Sequence, residues 1–143
     1  MAAGSGIGAG CARVLDVRGY RVVLMSRTEA ATVMAHELGG IGFQSSLTSD
    51  ADLQNLVAVA IGEYHRTHAV INSTGHGSGS TGYSDERLDH SGDSHLLDIA
   101  DEEWHRNLDL YLLNVIRMAR HVTPIIAAAG GGAIGNISAL GRC

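Results

Sequence analysis

Gly4, Ser5, Gly6, Ile7 and Gly8 stand at the head of a helical pattern, an arrangement suited to holding a phosphate. Glycine lets backbone come close to an anion, while a helix start presents N–H donors and the positive end of its dipole. A Gly-rich pentapeptide is also an ordinary turn, so its meaning depends on the residues downstream of it. Further along come Ser26-Arg27, Ser46-Leu47, Asn72-Ser73-Thr74-Gly75, Asp101-Glu102-Glu103-Trp104 with Asn114 beyond it, and Asn136-Ile137-Ser138-Ala139. Arginine pairs with phosphate through a planar fork of donors, and Ser and Asn can orient a carbonyl or a water.

Absences narrow the chemistry. All ten cations are arginine, so Schiff-base catalysis and the lysine of a Walker-type phosphate loop are excluded. The net charge is −5 and the cations are scattered singly, which argues against nucleic acid as a partner. His76, His90 and His95 lie amid Asp85, Asp89 and Asp93, but a Gly/Ser-rich stretch offers no convergent ligand geometry. It reads as a solvated acidic loop, and no metal is expected. Cys11 and Cys143 form neither a disulfide framework nor a metal spacing, which fits a reducing cytoplasm. Neither a signal peptide nor a run of about 18–20 apolar residues shows, so no membrane partner is expected.

The elements that must position these residues can be read from hydrophobic periodicity. Ile7, Cys11, Val14 and Leu15 have helical spacing, with Gly19 as the stop. Tyr20 to Met25 reads as a buried strand, 28–38 as a helix capped by Thr28, and Ile41 to Ser45 as a second strand. Leu53, Leu56, Val57, Ala60, Ile61 and Tyr64 mark a helix, with Ser49 and Asp52 as a capping box. His68 to Asn72 is the next strand, and an irregular loop or insertion comes after it over 76–95. Asp101 can cap a long helix carrying Trp104, Leu108, Tyr111, Leu112, Val115, Ile116 and Ala119 inward, with a kink at Pro124. Ala133 to Ser138 is the last strand. Strands alternating with helices imply an α/β domain with a parallel sheet.

Taken together, these motifs resemble the short-chain dehydrogenase/reductases. The family's Thr-Gly-x-x-x-Gly-x-Gly is met by Gly6 and Gly8, with Met1 and Ala2 where Thr and the first Gly belong. Its Asn-Asn-Ala-Gly looks like Asn72 to Gly75, its fifth strand end like Asn136 to Ala139, and its Asp/Glu-Glu-Trp like Asp101 to Trp104. The resemblance implies a Rossmann-like, three-layer parallel sheet. It is incomplete here, lacking the first strand and everything after the fifth, so that 1–143 form a single partial domain. It also implies that Gly4, Ser5, Gly6, Ile7 and Gly8 hold a pyrophosphate, with Ser46 and Leu47 near the adenine and Asn72 and Gly75 near the nicotinamide ribose. Ser26 and Arg27 come after the second strand with no acid beside them. An arginine there pairs with a 2′-phosphate, which implies NADP rather than NAD; a solvated surface cation is the alternative.

Four residues carry proton transfer in the family: Ser, Tyr, Lys and a helix Asn. Ser138 precedes Gly141 by three, as the family's serine does, whereas counting from Asn136 assigns the place to Ala139. Counting seven from Trp104 reaches Tyr111, and Asn114 lies one turn further on. The family's Tyr-x-x-x-Lys has no counterpart, because Tyr83 to Arg87 offers only an arginine at that spacing. The expected function is therefore NADP-dependent interconversion of an alcohol and a carbonyl in small-molecule substrates, with this chain as the cofactor half. Alone it lacks groups the chemistry needs, and it should be unstable unless another segment completes it. A non-catalytic dinucleotide-binding or interaction module is the alternative, and a decayed gene product a third reading. Association of copies through the long helices is a further expectation from the family.

Overall fold

A computed structural model gives the fold and describes residues 1–74 and 100–138. Helix α1 spans Gly6–Val17, β1 Val23–Ser26, α2 Ala30–Glu37, β2 Ile41–Gln44, α3 Asp50–Tyr64 and β3 Ala69–Asn72. After the segment outside the described residues come α4 (Asp101–Leu108), a π-helical turn (Asp109–Leu113), α5 (Asn114–Ala128) and β4 (Ala133–Asn136). Gly75, Ala139 and the loop expected over 76–95 lie outside the described residues.

Helix α1 ends where Gly19, at φ +82°, turns the chain and Tyr20 N–H returns to the Leu15 carbonyl. Strand β1 accordingly starts at Val23, later than its apolar run suggests. Glu29 holds the cap position of α2 without a side-chain bond, while the Thr28 hydroxyl accepts the Ala30 N–H at 3.5 Å and the Ser26 hydroxyl accepts the Ala31 N–H at 3.1 Å. Ser49 does cap α3, accepting from Asp52 N–H at 3.2 Å. The Asp52 carboxylate accepts from Ser46 N–H at 2.9 Å, tying the helix start to the preceding loop rather than closing the reciprocal box. That hydrogen bond, with others from Ser45 and Ser49, holds the Asp52 carboxyl below its ordinary range. Asp101 is the first helical residue of α4, with Ala100 as cap.

Strand β1 pairs parallel with β2, Val23 opposite Ile41, and β3 pairs parallel with β4, Ala69 opposite Ala133. These are two separate ribbons. Between them runs Met1–Ala3, whose backbone donates from Met1 to Ile71 O (2.8 Å) and from Ala3 to Met25 O (3.2 Å). Strand alternation divides the core into two layers. Val22 and Leu24 pack with Ala9 and Ala12 of α1 and Ala31, Met34 and Ala35 of α2. Met25 packs on the other face with Leu53, Leu56 and Val57 of α3 and Met118, Val122 and Ile126 of α5. Met25 and Leu53 are wholly buried, each contributing about 1.5–3 kcal/mol relative to exposure. Helices on both faces of parallel strands make the three-layer Rossmann-like arrangement.

The inward face of the long helix differs from expectation. Asn114, Met118, Val122 and Ile126 point in, at a spacing of four, while Trp104, Leu108, Leu112 and Ile116 are exposed. The chain carries two apolar stripes there, and the one richer in large residues faces out. Pro124 is accommodated within α5, which continues to Ala128.

Candidate functional site

Parallel pairing within each ribbon, with Met1–Ala3 bonded to Ile71 and Met25 between them, places the C-terminal ends of the described strands at one edge, where ligands of open α/β sheets lie. Gly4 to Gly8, Ser26-Arg27, Ser46-Leu47, Asn72 to Thr74 and Ser138 all lie at or just beyond those ends.

At the start of α1, Ser5 is extended (φ −161°) and its hydroxyl makes no capping bond, and the first turn holds no acidic residue. Among the described residues the leading amides of the helix thus have no side-chain acceptor, the condition in which a helix start attracts an anion. Two of the glycines are required by contact. A Cβ on Gly8 would sit 2.4 Å from Ala2 O, and one on Gly4 would sit 2.8 Å from Ala30 Cβ. Gly6, at φ +56°, has open space around it, so a ligand can approach its backbone. Ile7 is 63% exposed. Ala2 takes φ +51° at the place of the family's first glycine, a strained conformation that composition does not disclose.

Ser26 is buried and its hydroxyl donates to Thr28 O at 2.6 Å, so it shapes the loop after β1. Arg27 is exposed; its carbonyl accepts from Gln44 Nε2 at 2.8 Å, and no ion pair engages its guanidinium among the described residues. Ser46 Oγ meets Thr48 Oγ1 at 2.9 Å, whereas Leu47 is buried among Met25 and Leu53 in the core. The Leu47 side chain therefore packs inward instead of lining the edge.

Asn72 and Asn114 are both buried and joined, Asn72 Nδ2 donating to Asn114 Oδ1 at 3.1 Å. Asn72 Oδ1 accepts from Thr74 Oγ1 at 3.2 Å, and its carbonyl accepts the Ile137 N–H at 2.9 Å. Asn114 Nδ2 donates to the Leu110 carbonyl, within the π-helical turn that precedes it. Arg117 braces that turn through Asp109 at 2.6 Å and reaches Thr48 O at 3.3 Å. The position beside Asn72 thus belongs to Asn114, while Tyr111 is half-buried, its phenol pKa raised by burial against the opposing charge of Arg27. Ser138 lies exposed just beyond β4. Among the described residues no three His, Cys, Asp or Glu side chains gather as a metal site, and no helix is long and apolar enough to cross a membrane.

Parallel strands between helical layers, with an uncapped helix start at their C-terminal edge, define a dinucleotide-binding domain of Rossmann type. The family model for short chain dehydrogenases matches residues 1–141, and the chain belongs to that family. It is 31% identical over 124 residues to a protein named as the ketoacyl reductase of a monensin polyketide synthase in Streptomyces virginiae, covering 82% of this chain and 42% of that one. It is 28% identical over 143 residues to cis-4-hydroxycyclohexanecarboxylate dehydrogenase of Sinomonas cyclohexanicum, covering 96% of this chain and 52% of that one. Among solved structures it resembles a 7α-hydroxysteroid dehydrogenase complexed with NADH and 7-oxoglycochenodeoxycholic acid, with TM-score 0.76 and 23% identity. That likeness covers 97% of this chain and 51% of the other. The chain therefore spans about half the length of the relatives it matches.

Proposed function

We propose that residues 1–143 form a single partial dinucleotide-binding domain, the cofactor half of an NADP-dependent enzyme that interconverts an alcohol and a carbonyl. The observation that carries the reading is the open helix start at Gly4–Gly8, beside an exposed Arg27 with no acid at the end of β1. The residues fit the cofactor: free amides and glycine backbone suit its pyrophosphate, and Arg27 suits a 2′-phosphate. Ser46 and Asn72 border the same edge, on the adenine and nicotinamide sides respectively. When bound, the cofactor would supply the hydride acceptor or donor. Ser138 would orient the substrate oxygen, and Asn114 would hold Asn72 and the π-helical turn in place. The relatives' named substrates, a ketoacyl group and a hydroxycyclohexanecarboxylate, support a small alcohol or ketone. The exposed stripe of Trp104, Leu108, Leu112 and Ile116 supports association of copies through the long helices.

A second reading rests on the absence of lysine from all 143 residues. Family chemistry needs a cation to bring a phenol near pKa ~10 towards neutrality, so this chain on its own would bind cofactor without turning substrate over. Titration of the chain with NADPH, with NADH as control, tests both readings. The expected result is saturable binding that prefers NADPH, weakened about tenfold or more by Arg27→Ala, with little change for NADH. Equal binding of the two cofactors, unaffected by Arg27→Ala, overturns the NADP assignment. Hydride transfer by this chain alone overturns the second reading.

A further inference from the structure

The π-helical turn is held from two sides. Asn114 closes it from the strand side, its backbone N–H reaching Asp109 O and its side-chain amide the Leu110 carbonyl. Arg117 closes it from the other, Nη1 donating to Asp109 Oδ1 at 2.6 Å across a separation of eight residues. A regular helix turns residues at that spacing about 80° away from a common face. A π turn takes up one residue beyond the regular count. Asp109 and Arg117 then stand as residues seven apart do, about two turns along one face, and the side chains meet. Both are half-buried, 26% and 29% exposed, so the pair is screened less than one on an open surface.

The same Nη1 donates to Thr48 O at 3.3 Å. Thr48 lies in the loop from β2 to α3, where neither helix nor strand fixes the backbone. Ser46 N–H is held there by Asp52 Oδ2 at 2.9 Å, and Thr48 N–H donates to Ser46 Oγ at 3.3 Å. A guanidinium carries five donors in a rigid fork, so it can serve acceptors on two segments at once. Leu110 packs against the apolar cluster that contains Leu47, which joins the same two segments. Apolar contact is non-directional, so the fixed separation comes from Arg117. One turn further along α5, His121 Nε2 meets Asp50 Oδ1 at 2.8 Å, touching neither segment.

We propose that Arg117 is a positioning residue for the dinucleotide. It ties the loop on the adenine side, through Thr48, to the turn that leads into Asn114 beside Asn72 on the nicotinamide side. This role rests on the cofactor reading above and gives Arg117 no contact with cofactor or substrate. A ligand that spans both sides gains from having them held at one separation, as linked groups gain when their sites match the span between them. A ligand that occupies one side gains nothing from the tie.

The test measures binding of NADPH and of its adenine half, 2′,5′-ADP, to the full chain and to three variants. Arg117→Met keeps an unbranched stem, Asp109→Ala frees the turn, and His121→Ala breaks only the neighbouring contact with Asp50. Arg117→Met and Asp109→Ala are expected to weaken NADPH about tenfold and 2′,5′-ADP less than about twofold. His121→Ala should leave both ligands unchanged. Without nucleotide, amide exchange at Ser46 and at Asn114 should quicken together in Arg117→Met, by about tenfold. If Arg117→Met does not fold, Asp109→Ala carries the same readings. Equal weakening of the two ligands means a general loss of structure and overturns the proposal. Faster exchange at only one of the two amides also overturns it, because the segments are then not tied. Binding of both ligands with an unchanged ratio in Arg117→Met removes this proposal alone. A parent chain that binds neither ligand removes the cofactor reading, and the positioning role with it.

Discussion

Asn72 Nδ2 donates to Asn114 Oδ1 across 3.1 Å in the interior, joining the end of β3 to the start of α5. Each partner holds something else in place. Asn72 also anchors Thr74 and β4, and Asn114 anchors the Leu110 carbonyl of the π-helical turn. A π turn departs from the regular helical ladder and recurs at functional sites, and here the Asn114 amide donates to a carbonyl of that turn. The pair thereby connects the strand-end edge, where Ser138 emerges, to the long helix.

Asn114→Ala should destabilise the chain by about 2 kcal/mol, since the buried Asn72 amide and the half-buried Leu110 carbonyl both lose a partner. Asn72→Val combined with Asn114→Leu should cost less than the sum of the single changes, because both polar groups leave together. Urea unfolding of the four proteins of this cycle measures the coupling, and strictly additive losses would mean that the two side chains do not depend on each other.

Much of this arrangement was legible in the sequence, and the exceptions have identifiable causes. Gly4 to Gly8, the parallel strands and the Ser49 cap were readable because turn chemistry and β-branched runs act locally. The face of the long helix was not. Counting apolar residues selects Trp104, Leu108, Tyr111, Leu112, Val115, Ile116 and Ala119. Of these, Tyr111, Val115 and Ala119 are half-buried and the others exposed, but the core takes the stripe headed by the polar Asn114. An asparagine satisfied by Asn72, 42 residues earlier, leaves no mark on local hydrophobicity. A count of seven from Trp104 lands on Tyr111, whereas the residue bonded to Asn72 is Asn114, at the end of the π-helical turn. The burial of the Leu47 side chain was equally unmarked, because its position next to a loop serine gives no sign that it completes the core.

Stability should rise between about pH 6 and pH 8 through a single amine. Burial lowers the Met1 α-amine from 8.0 to about 6 in the fold, partly opposed by Cys11. Across that window the unfolded chain holds the proton and the folded chain does not, so raising the pH favours folding. The full destabilising effect is on the order of 2–3 kcal/mol, absent above the unfolded value and complete below the folded one. Nα-acetylation leaves an N–H for Ile71 O and removes the charge. Denaturant unfolding at pH 6 and 8 should show a smaller difference for the acetylated chain than for the free one. Equal differences would place the titration elsewhere.

Ser49→Ala should cost about 1 kcal/mol by removing the hydroxyl that accepts the Asp52 N–H at the start of α3. Because Asp52 also depends on Ser46 for its lowered pKa, its carboxyl should stay below the ordinary range in this variant. Carboxyl NMR titration checks that point, and a return of Asp52 to 3.8 would make Ser49 the main cause.

The glycine loop allows a comparison within a single helix. Gly8→Ala would push a methyl against Ala2 O, which lies 2.4 Å from the ideal Cβ. The obstructing atom is backbone rather than the end of a flexible side chain, so the Met1–Ala3 segment must move, weakening its bonds to Ile71 and Met25. Gly10→Ala meets nothing within 4 Å on the same helix and should stabilise it by about 0.5–1 kcal/mol. Ala2→Gly acts on the same loop from the other side. It relieves an alanine held at φ +51°, a gain of roughly 1–2 kcal/mol reduced by about 0.4–1 kcal/mol of added freedom in the unfolded chain. The expected order of melting temperatures is Gly8→Ala below the parent, with Gly10→Ala and Ala2→Gly above it. NADPH affinity should fall only in Gly8→Ala, since that change alone shifts the strand end that aims the helix start. A Gly8→Ala protein as stable as Gly10→Ala would show that the contact with Ala2 does not constrain the loop.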